Sequence, residues 1–253
     1  SLSATWGFYN EASIKGEISV VIGHDKEKVK GYLDDTYSNS DDLHFAVQEK
    51  QLGTADALRS YFESAEFTKK TDYTVVMCAD TPIISSEDLI HLYSILKDKN
   101  LDGVAATFIE DQPKGYGRIV RGSKGFHIVE EKDATDEIRK VTEVNSGFYV
   151  LKTSFILDNL YSIDSNNKSG EFYLTDLFKD DYNVAPICFS DKDTFLGVNN
   201  LEQLEKAELI LRSKNQVKLR EKGVRFIDRR HTYVDVSEVG ERTLIYPNVF
   251  ISG

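Results

Sequence analysis

Short β-branched runs alternate along the chain with stretches whose apolar residues recur every three or four positions, the pattern of an α/β protein. Ile18-Ser19-Val20-Val21-Ile22, stopped by Gly23-His24, reads as a buried strand, and Asp25 is placed to cap a short helix carrying Val29 and Leu33. Further strands are expected at 43–47, 75–78, 103–109, 144–151 and 184–189. A hairpin is expected from 116–120 and 125–130, joined by Arg121-Gly122-Ser123-Lys124. Ala55, Leu58, Phe62 and Ala65 share helical spacing, and Thr5 to Ser13 is a further helical stretch. Ser85-Ser86-Glu87-Asp88 is a Ser-x-x-Asp start signal for a helix with Leu89, Leu92, Tyr93 and Leu96 on one face. Residues 170–179 begin as a loop and turn helical. Residues 201–219 form a helix with Leu204, Ala207 and Leu211 on one side. After Gly223 the texture changes to short extended pieces, which sets a soft boundary between segments 1–222 and 223–253.

At 253 residues the chain can bury a sizeable core without a disulfide framework. Its 31 Lys and Arg against 42 Asp and Glu give a net charge of −11, which argues against a general nucleic-acid or anionic-membrane surface. A small phosphorylated substrate stays compatible with that charge if a metal ion or a few local cations neutralise it. Cys78 and Cys188 both lie in apolar runs and read as buried, reduced thiols, with no zinc spacing around them. No apolar run approaches the roughly 18 residues of a membrane span, and no secretory leader pattern is present, so a cytoplasmic setting is expected.

Several segments could carry chemistry, each with an ordinary alternative. Asp80 follows an apolar strand, where open α/β sheets place their ligands, and a carboxylate there can hold Mg²⁺. On spacing alone it is as well explained as a turn residue before Thr81-Pro82. Asn199, in Gly197-Val198-Asn199-Asn200, offers a carbonyl to a hard cation or, equally, a helix N-cap. Gln48 presents a donor and an acceptor suited to a uracil edge, and Gly53 lets backbone approach a flat ligand; a helix-entry loop is the alternative. Tyr116-Gly117-Arg118 could set a bare N–H and a cation beside an anion, or simply turn between strands. None of the five histidines (His24, His44, His91, His127, His231) is positioned by the sequence as a general base.

The ordered set of Gln51-Leu52-Gly53-Thr54-Ala55, Asp80-Thr81-Pro82, Gly115-Tyr116-Gly117-Arg118-Ile119-Val120, Ile128-Val129-Glu130-Glu131-Lys132-Asp133-Ala134, Glu143-Val144-Asn145-Ser146-Gly147, Gly170-Glu171-Phe172-Tyr173-Leu174-Thr175-Asp176 and Gly197-Val198-Asn199-Asn200 resembles one family. That family is the uridyltransferase domain of the bacterial bifunctional N-acetylglucosamine-1-phosphate uridyltransferase / glucosamine-1-phosphate acetyltransferase. The resemblance runs from about Ile18 to the C-terminus. It implies a Rossmann-like, GT-A-like nucleotidyltransferase fold with a mixed sheet. The implied reaction joins UTP and N-acetylglucosamine 1-phosphate into UDP-N-acetylglucosamine and pyrophosphate for cell-wall precursor synthesis. It further implies Mg²⁺ held by Asp80 and Asn199, the uracil and ribose side held by Gln48, Gly53 and Thr54, and the N-acetylglucosamine moiety held by Gly117, Glu130, Asn145 and Thr175. The tail, Gly223 to Asp228 and Tyr246 to Gly253, resembles the opening of the family's left-handed β-helix, of which it would supply the first rung. Neither acetyltransferase activity nor a secure trimer is expected from one rung, although a homo-oligomer is compatible.

The family's N-terminal strand, its glycine-rich loop and the Pro-Lys that follows are not found here. That loop cradles UTP phosphates, and only Arg118 and Lys132 offer replacement cations. The chain is therefore expected to be weakly active or inactive, and the region Ser1 to Gly16 to be rearranged or to lean on another chain. Asp56 also places negative charge near the expected nucleotide. Two alternatives are a non-catalytic sugar-nucleotide-binding domain and a pyrophosphorylase for another sugar or nucleotide.

Overall fold

A computed structural model describes residues 16–37, 43–64, 67 and 71–252. The expected helix at 5–13 and the rearrangement of residues 1–15 lie outside the described residues. The chain divides into two compact units. One comprises the described residues of Ser1–Cys78 and Ile84–Lys192; the other joins Ala79–Ile83 to Asp193–Gly253. The long helix after residue 200 thus belongs with the C-terminal pieces, whereas the texture of the sequence divides the chain at Gly223.

In the larger unit, β1 (Ile18–Ile22) pairs in parallel with β2 (Leu43–Val47), with α1 (Lys26–Thr36) between them in sequence. Asp25 stands at the N-cap position of α1 but in a left-handed conformation with φ 52°, and its side chain makes no cap hydrogen bond. Its carboxylate instead pairs with Lys28 at 3.2 Å, so the expected side-chain cap is not formed. Helix α2 (Thr54–Glu63) buries Ala55, Leu58 and Phe62; Ala65, the fourth residue of the face read from the sequence, lies outside the described residues. β3 (Tyr73–Val76) begins and ends earlier than the apolar run suggested. Its ladder starts where Tyr73 meets Lys152 and closes at Val76, which leaves Cys78 outside the sheet and exposed. Cys188 is exposed as well, so neither thiol is the buried one expected.

Helix α3 (Ser86–Asp98) carries a complete capping box. The Ser85 hydroxyl accepts from the Asp88 backbone N–H, and the Asp88 carboxylate accepts from the Ser85 N–H at 2.8 Å. Leu89, Leu92 and Leu96 are fully buried on its inner face, each contributing about 1.5–3 kcal/mol as an upper estimate.

β4 (Gly103–Ile109), the hairpin β5 (Arg118–Arg121) and β6 (Phe126–Val129), β7 (Glu143–Lys152) and β8 (Val184–Phe189) complete a six-stranded mixed sheet with β3. Its order is β6-β5-β7-β4-β8, with β3 also on β7. β7 organises it: β4 lies along one side, while β5 meets its start at Val144 and β3 meets its end. Between the pairs Ala105↔Tyr149 and Thr107↔Asn145, β7 takes up more residues than β4. This bulge is held by the Ser146 hydroxyl, which donates to the Ala106 carbonyl at 2.7 Å, and by Gly147 at φ 77°. Helix α4 (Thr153–Asn159) packs Phe155 and Ile156 into the same core as α2. Among the described residues, β1 ladders only with β2, and that pair is not joined to the six-stranded sheet.

In the smaller unit, Asn200 caps the long helix α5 (Leu201–Glu221), its side chain accepting from the Gln203 N–H at 2.9 Å. The inner face of α5 is made by Ala207, Gln216 and Leu219; Leu204 and Leu211, grouped with Ala207 by spacing, remain exposed. Four short strands follow. β9 (Arg225–Phe226) pairs in parallel with β11 (Leu244–Ile245), and β10 (Tyr233–Asp235) with β12 (Phe250–Ser252). Leu219, Val224, Val234 and Ile245 form their buried centre. Asn215 ties the helix to this centre by donating to the Val234 and Val236 carbonyls at 3.1 and 3.0 Å. No helix among the described residues is long and apolar enough to cross a membrane.

Candidate active site

The site residues read from the sequence fall into three local groups. In the larger unit, Gly117 just before β5, Glu130 just after β6, Asn145 on β7 and Thr175 in a 3₁₀ turn at Leu174–Leu177 are brought together. The Asn145 N–H donates to the Gly117 carbonyl at 2.9 Å, and the Thr175 hydroxyl donates to Glu130 Oε1 at 2.9 Å. A Cβ added at Gly117 would lie 3.5 Å from both Glu130 Oε2 and Asn145 Cβ, and 3.1 Å from Ile128. The first two are ordinary contact distances; the approach to Ile128 is the tight one. The Asn145 amide is itself oriented: its Nδ2 donates to the Tyr149 hydroxyl at 2.7 Å, and its Oδ1 accepts from the Gly147 N–H at 3.3 Å. Burial pushes the Glu130 carboxyl above its ordinary range. The Thr175 hydroxyl opposes that shift, and the negative charges of Asp133, Asp176 and Glu171 add to it. Carboxylate, amide and hydroxyl side by side match a ligand rich in hydroxyl and amide groups rather than a bare phosphate.

The second group, in the same unit, is Gln48, Gly53 and Thr54. Gln48 Nε2 donates to the Gly53 carbonyl at 3.0 Å and to Asp56 Oδ2 at 2.8 Å, so both amide protons are spent on this loop. Gly53 has φ 118°, and a Cβ there would come within 2.5 Å of the Phe172 carbonyl oxygen. Only glycine allows that approach. Phe172 is stitched to the loop on both sides: its N–H donates to the Leu52 carbonyl at 2.8 Å, and its carbonyl accepts from the Ala55 N–H at 2.9 Å. Thr54 Oγ1 accepts from the Leu174 N–H at 3.0 Å. The stretch from 172 to 175 therefore joins the first group to the second. Phe172, Arg59 and Tyr149 are participants that sequence reading did not single out. The Arg59 guanidinium stacks on Phe172 at 4.3 Å and donates to the Leu160 and Ile163 carbonyls at 2.9 and 2.7 Å. Tyr149 could have been found, since it lies four residues from Asn145 on one strand; nothing local marks Phe172.

The third group, in the smaller unit, is Asp80 with Asn199. A Cβ on Gly197 would lie 3.2 Å from Asp80 Oδ2 and 3.5 Å from Asn199 Nδ2, so the two side chains share one small space that glycine keeps open. The Val198 N–H donates to the Asp80 carbonyl at 2.9 Å and pins the two segments together. Asn200, not Asn199, caps α5, which leaves the Asn199 side chain for another role. One carboxylate and one carboxamide suit a hard cation that takes its remaining ligands from phosphate and water. Among the described residues no group of three or more His, Cys, Asp or Glu is arranged for a metal.

Arg118 does not supply the expected phosphate cation. It is 1% exposed, its Nη2 pairs with Glu131 Oε2 at 2.8 Å, and its Nη1 donates to the Tyr116 carbonyl. Glu131 is held below the usual carboxylate range by the Gly115 N–H and by Arg118. The arginine braces the hairpin instead of facing a ligand.

Residues 4–204 match the family model described as nucleotidyl transferase, and the chain belongs to that family. The match opens well ahead of Ile18, where the motif resemblance begins. The chain is 39% identical over 239 residues to the bifunctional protein GlmU of Thermosipho melanesiensis, covering 94% of this chain and 51% of that protein. It is 36% identical over 240 residues to GlmU of Fervidobacterium nodosum, again covering 94% and 51%. The chain spans about half the length of the curated relatives it matches. Among solved structures it is similar to an Entamoeba histolytica protein described as a UDP-N-acetylglucosamine pyrophosphorylase, with TM-score 0.70 and 12% identity over 94% of this chain and 78% of the other. It is also similar to an apo UDP-glucose pyrophosphorylase, with TM-score 0.60 and 15% identity over 84% and 86%. Both likenesses are of fold.

Proposed function

We propose that this chain is the uridyltransferase part of a GlmU-like protein, acting on UTP and N-acetylglucosamine 1-phosphate to give UDP-N-acetylglucosamine and pyrophosphate. The sugar phosphate oxygen forms a bond to the α-phosphorus of UTP, and the bond to the departing pyrophosphate breaks in line. Such a reaction asks the protein for positioning and charge stabilisation rather than a covalent intermediate. The observation that supports the reading is the convergence of Gly117, Glu130, Asn145 and Thr175, distant in sequence, through the Asn145–Gly117 and Thr175–Glu130 hydrogen bonds and the contact distance of Gly117 from Glu130. In this reading Glu130 accepts from sugar hydroxyls, Asn145 meets the acetamido group, and Thr175 fixes the Glu130 carboxylate. Gln48 meets the uracil edge, with Gly53 and Thr54 shaping the loop around base and ribose. Asp80 and Asn199 would hold Mg²⁺, which when bound offsets the negative charge of the phosphoryl oxygens.

The two parallel ladders at β9–β11 and β10–β12 support reading residues 223–253 as the opening of a left-handed parallel β-helix. Cys78 and Cys188 are not joined in a disulfide, which supports a cytoplasmic setting.

One observation favours a second reading, a domain that binds the sugar nucleotide without turnover: Arg118 is committed to Glu131. Two measurements test the readings. Calorimetry with UDP-N-acetylglucosamine and Mg²⁺ should show saturable binding that weakens at least tenfold in Asp80→Ala. Pyrophosphate release from UTP and N-acetylglucosamine 1-phosphate separates enzyme from binder. Absence of both binding and release overturns both readings.

A further inference from the structure

A second concave site lies wholly within the smaller unit. Leu209, Arg212 and Ser213 on α5 and Ile227, Arg229 and Arg230 after β9 line a cavity of about 370 Å³. That volume falls in the range of small-molecule sites. Three of its lining residues are arginines, in a chain whose net charge is −11. Among the described residues no carboxylate pairs with any of the three. The one acid at the cavity, Asp228, is already used: it contacts His231 Nδ1 at 2.7 Å and accepts from the Arg230 N–H at 2.9 Å.

The wall is also preorganised. Gln216 is 3% exposed and donates to the Arg229 and Thr232 carbonyls at 3.2 and 3.0 Å, which fixes the turn carrying Arg229 and Arg230 against the helix. Arg212 lies over the Tyr233 ring at 5.9 Å. The Arg212 side chain, held over that ring, loses less freedom on binding. Guanidinium forks match phosphoryl oxygens with paired hydrogen bonds. Three cations against one engaged carboxylate exceed what a single phosphate needs, and the exposed side chains of Leu209 and Ile227 add apolar wall where a ring could lie.

We propose that this cavity binds a small diphosphate, either free pyrophosphate or the diphosphate of a nucleotide, through residues other than those assigned above to substrate. The site does not depend on the proposed reaction. Titration of the ¹⁵N-labelled chain with inorganic pyrophosphate, in the absence of Mg²⁺, should shift the backbone amides of Ser213, Arg229 and Arg230 saturably. The response should weaken as salt is raised. Arg229→Gln with Arg230→Gln should weaken binding roughly tenfold or more, while Arg230→Lys, which keeps the charge but loses the fork, should fall between. Arg230 is exposed, so Arg230→Gln alone serves if the double variant does not fold. UDP binding tighter than pyrophosphate at these amides identifies a nucleotide as the occupant; equal binding identifies the diphosphate itself. Asp80→Ala should leave these shifts unchanged. No saturable response to either probe, or an unchanged response in the glutamine variants, overturns the proposal.

Discussion

The hydroxyl of Thr175 donates to Glu130 Oε1 at 2.9 Å, joining a 3₁₀ turn to the end of a hairpin strand. This bond favours the carboxylate of a group that burial pushes toward protonation. Because the native pKa of Glu130 is raised, its contribution to stability is full below the ordinary carboxylate range and is lost as pH rises through the native value. Thr175→Val removes the opposing bond and moves that value further up. The variant should lose about 1–2 kcal/mol at neutral pH, with the difference narrowing in acid. Urea unfolding at several pH values, with a carboxyl ¹³C titration of Glu130, checks this.

Gly53→Ala should be costly out of proportion to one methyl group. The residue sits at φ 118°, and the new Cβ would strike the Phe172 main chain, which cannot rotate aside. A loss of about 1–3 kcal/mol is expected, measured by thermal or urea unfolding. Hydrogen exchange at the Phe172 amide should rise, because its bond to Leu52 depends on the same approach.

Asp56 holds one of the two amide protons of Gln48. If Gln48 meets a uracil edge, Asp56→Ala should free that donor and remove a negative charge, strengthening UDP binding roughly threefold to tenfold. Adding Gln48→Ala should cancel the gain. Calorimetry on the single and double variants decides it, and a gain that survives loss of Gln48 would assign the effect to charge alone.

Ser85→Ala should cost about 1 kcal/mol, and Asp88→Ala a similar amount, because each removes one half of the capping box at α3. The double variant should cost less than the two losses added, since the halves depend on each other. Denaturant midpoints of the four proteins give the coupling directly.

Strand limits were legible wherever an apolar run coincided with its ladder. Ile18–Ile22, Leu43–Val47, Gly103–Ile109 and Val184–Phe189 each have the bounds that the sequence suggests. At Val75–Cys78 the two part company: pairing with β7 fixes the ladder at Tyr73–Val76, and hydrophobicity carries no record of a partner's register. Arg118 shows the same limit for charge. Its pairing with Glu131 follows from the hairpin register, in which Arg118 faces Val129 and the next acidic residues come immediately after. The nearness of Asp80 and Asn199 at Gly197 and the grouping around Gly117 were reachable only through the ordered motifs, since periodicity says nothing about which loops meet. The link from Phe172 to the Leu52–Ala55 loop is made by its backbone, and a bond made through the main chain leaves no mark in side-chain chemistry.

The double stitch between Phe172 and the Leu52–Ala55 loop has a consequence for order of events. A ligand at the Gln48–Thr54 loop should stiffen the ribbon that carries Thr175, and one that engages Glu130 should stiffen the same ribbon from its far end. The first guest thereby lowers the entropic toll met by the second, so the two should bind with positive cooperativity even where no atom of one touches the other.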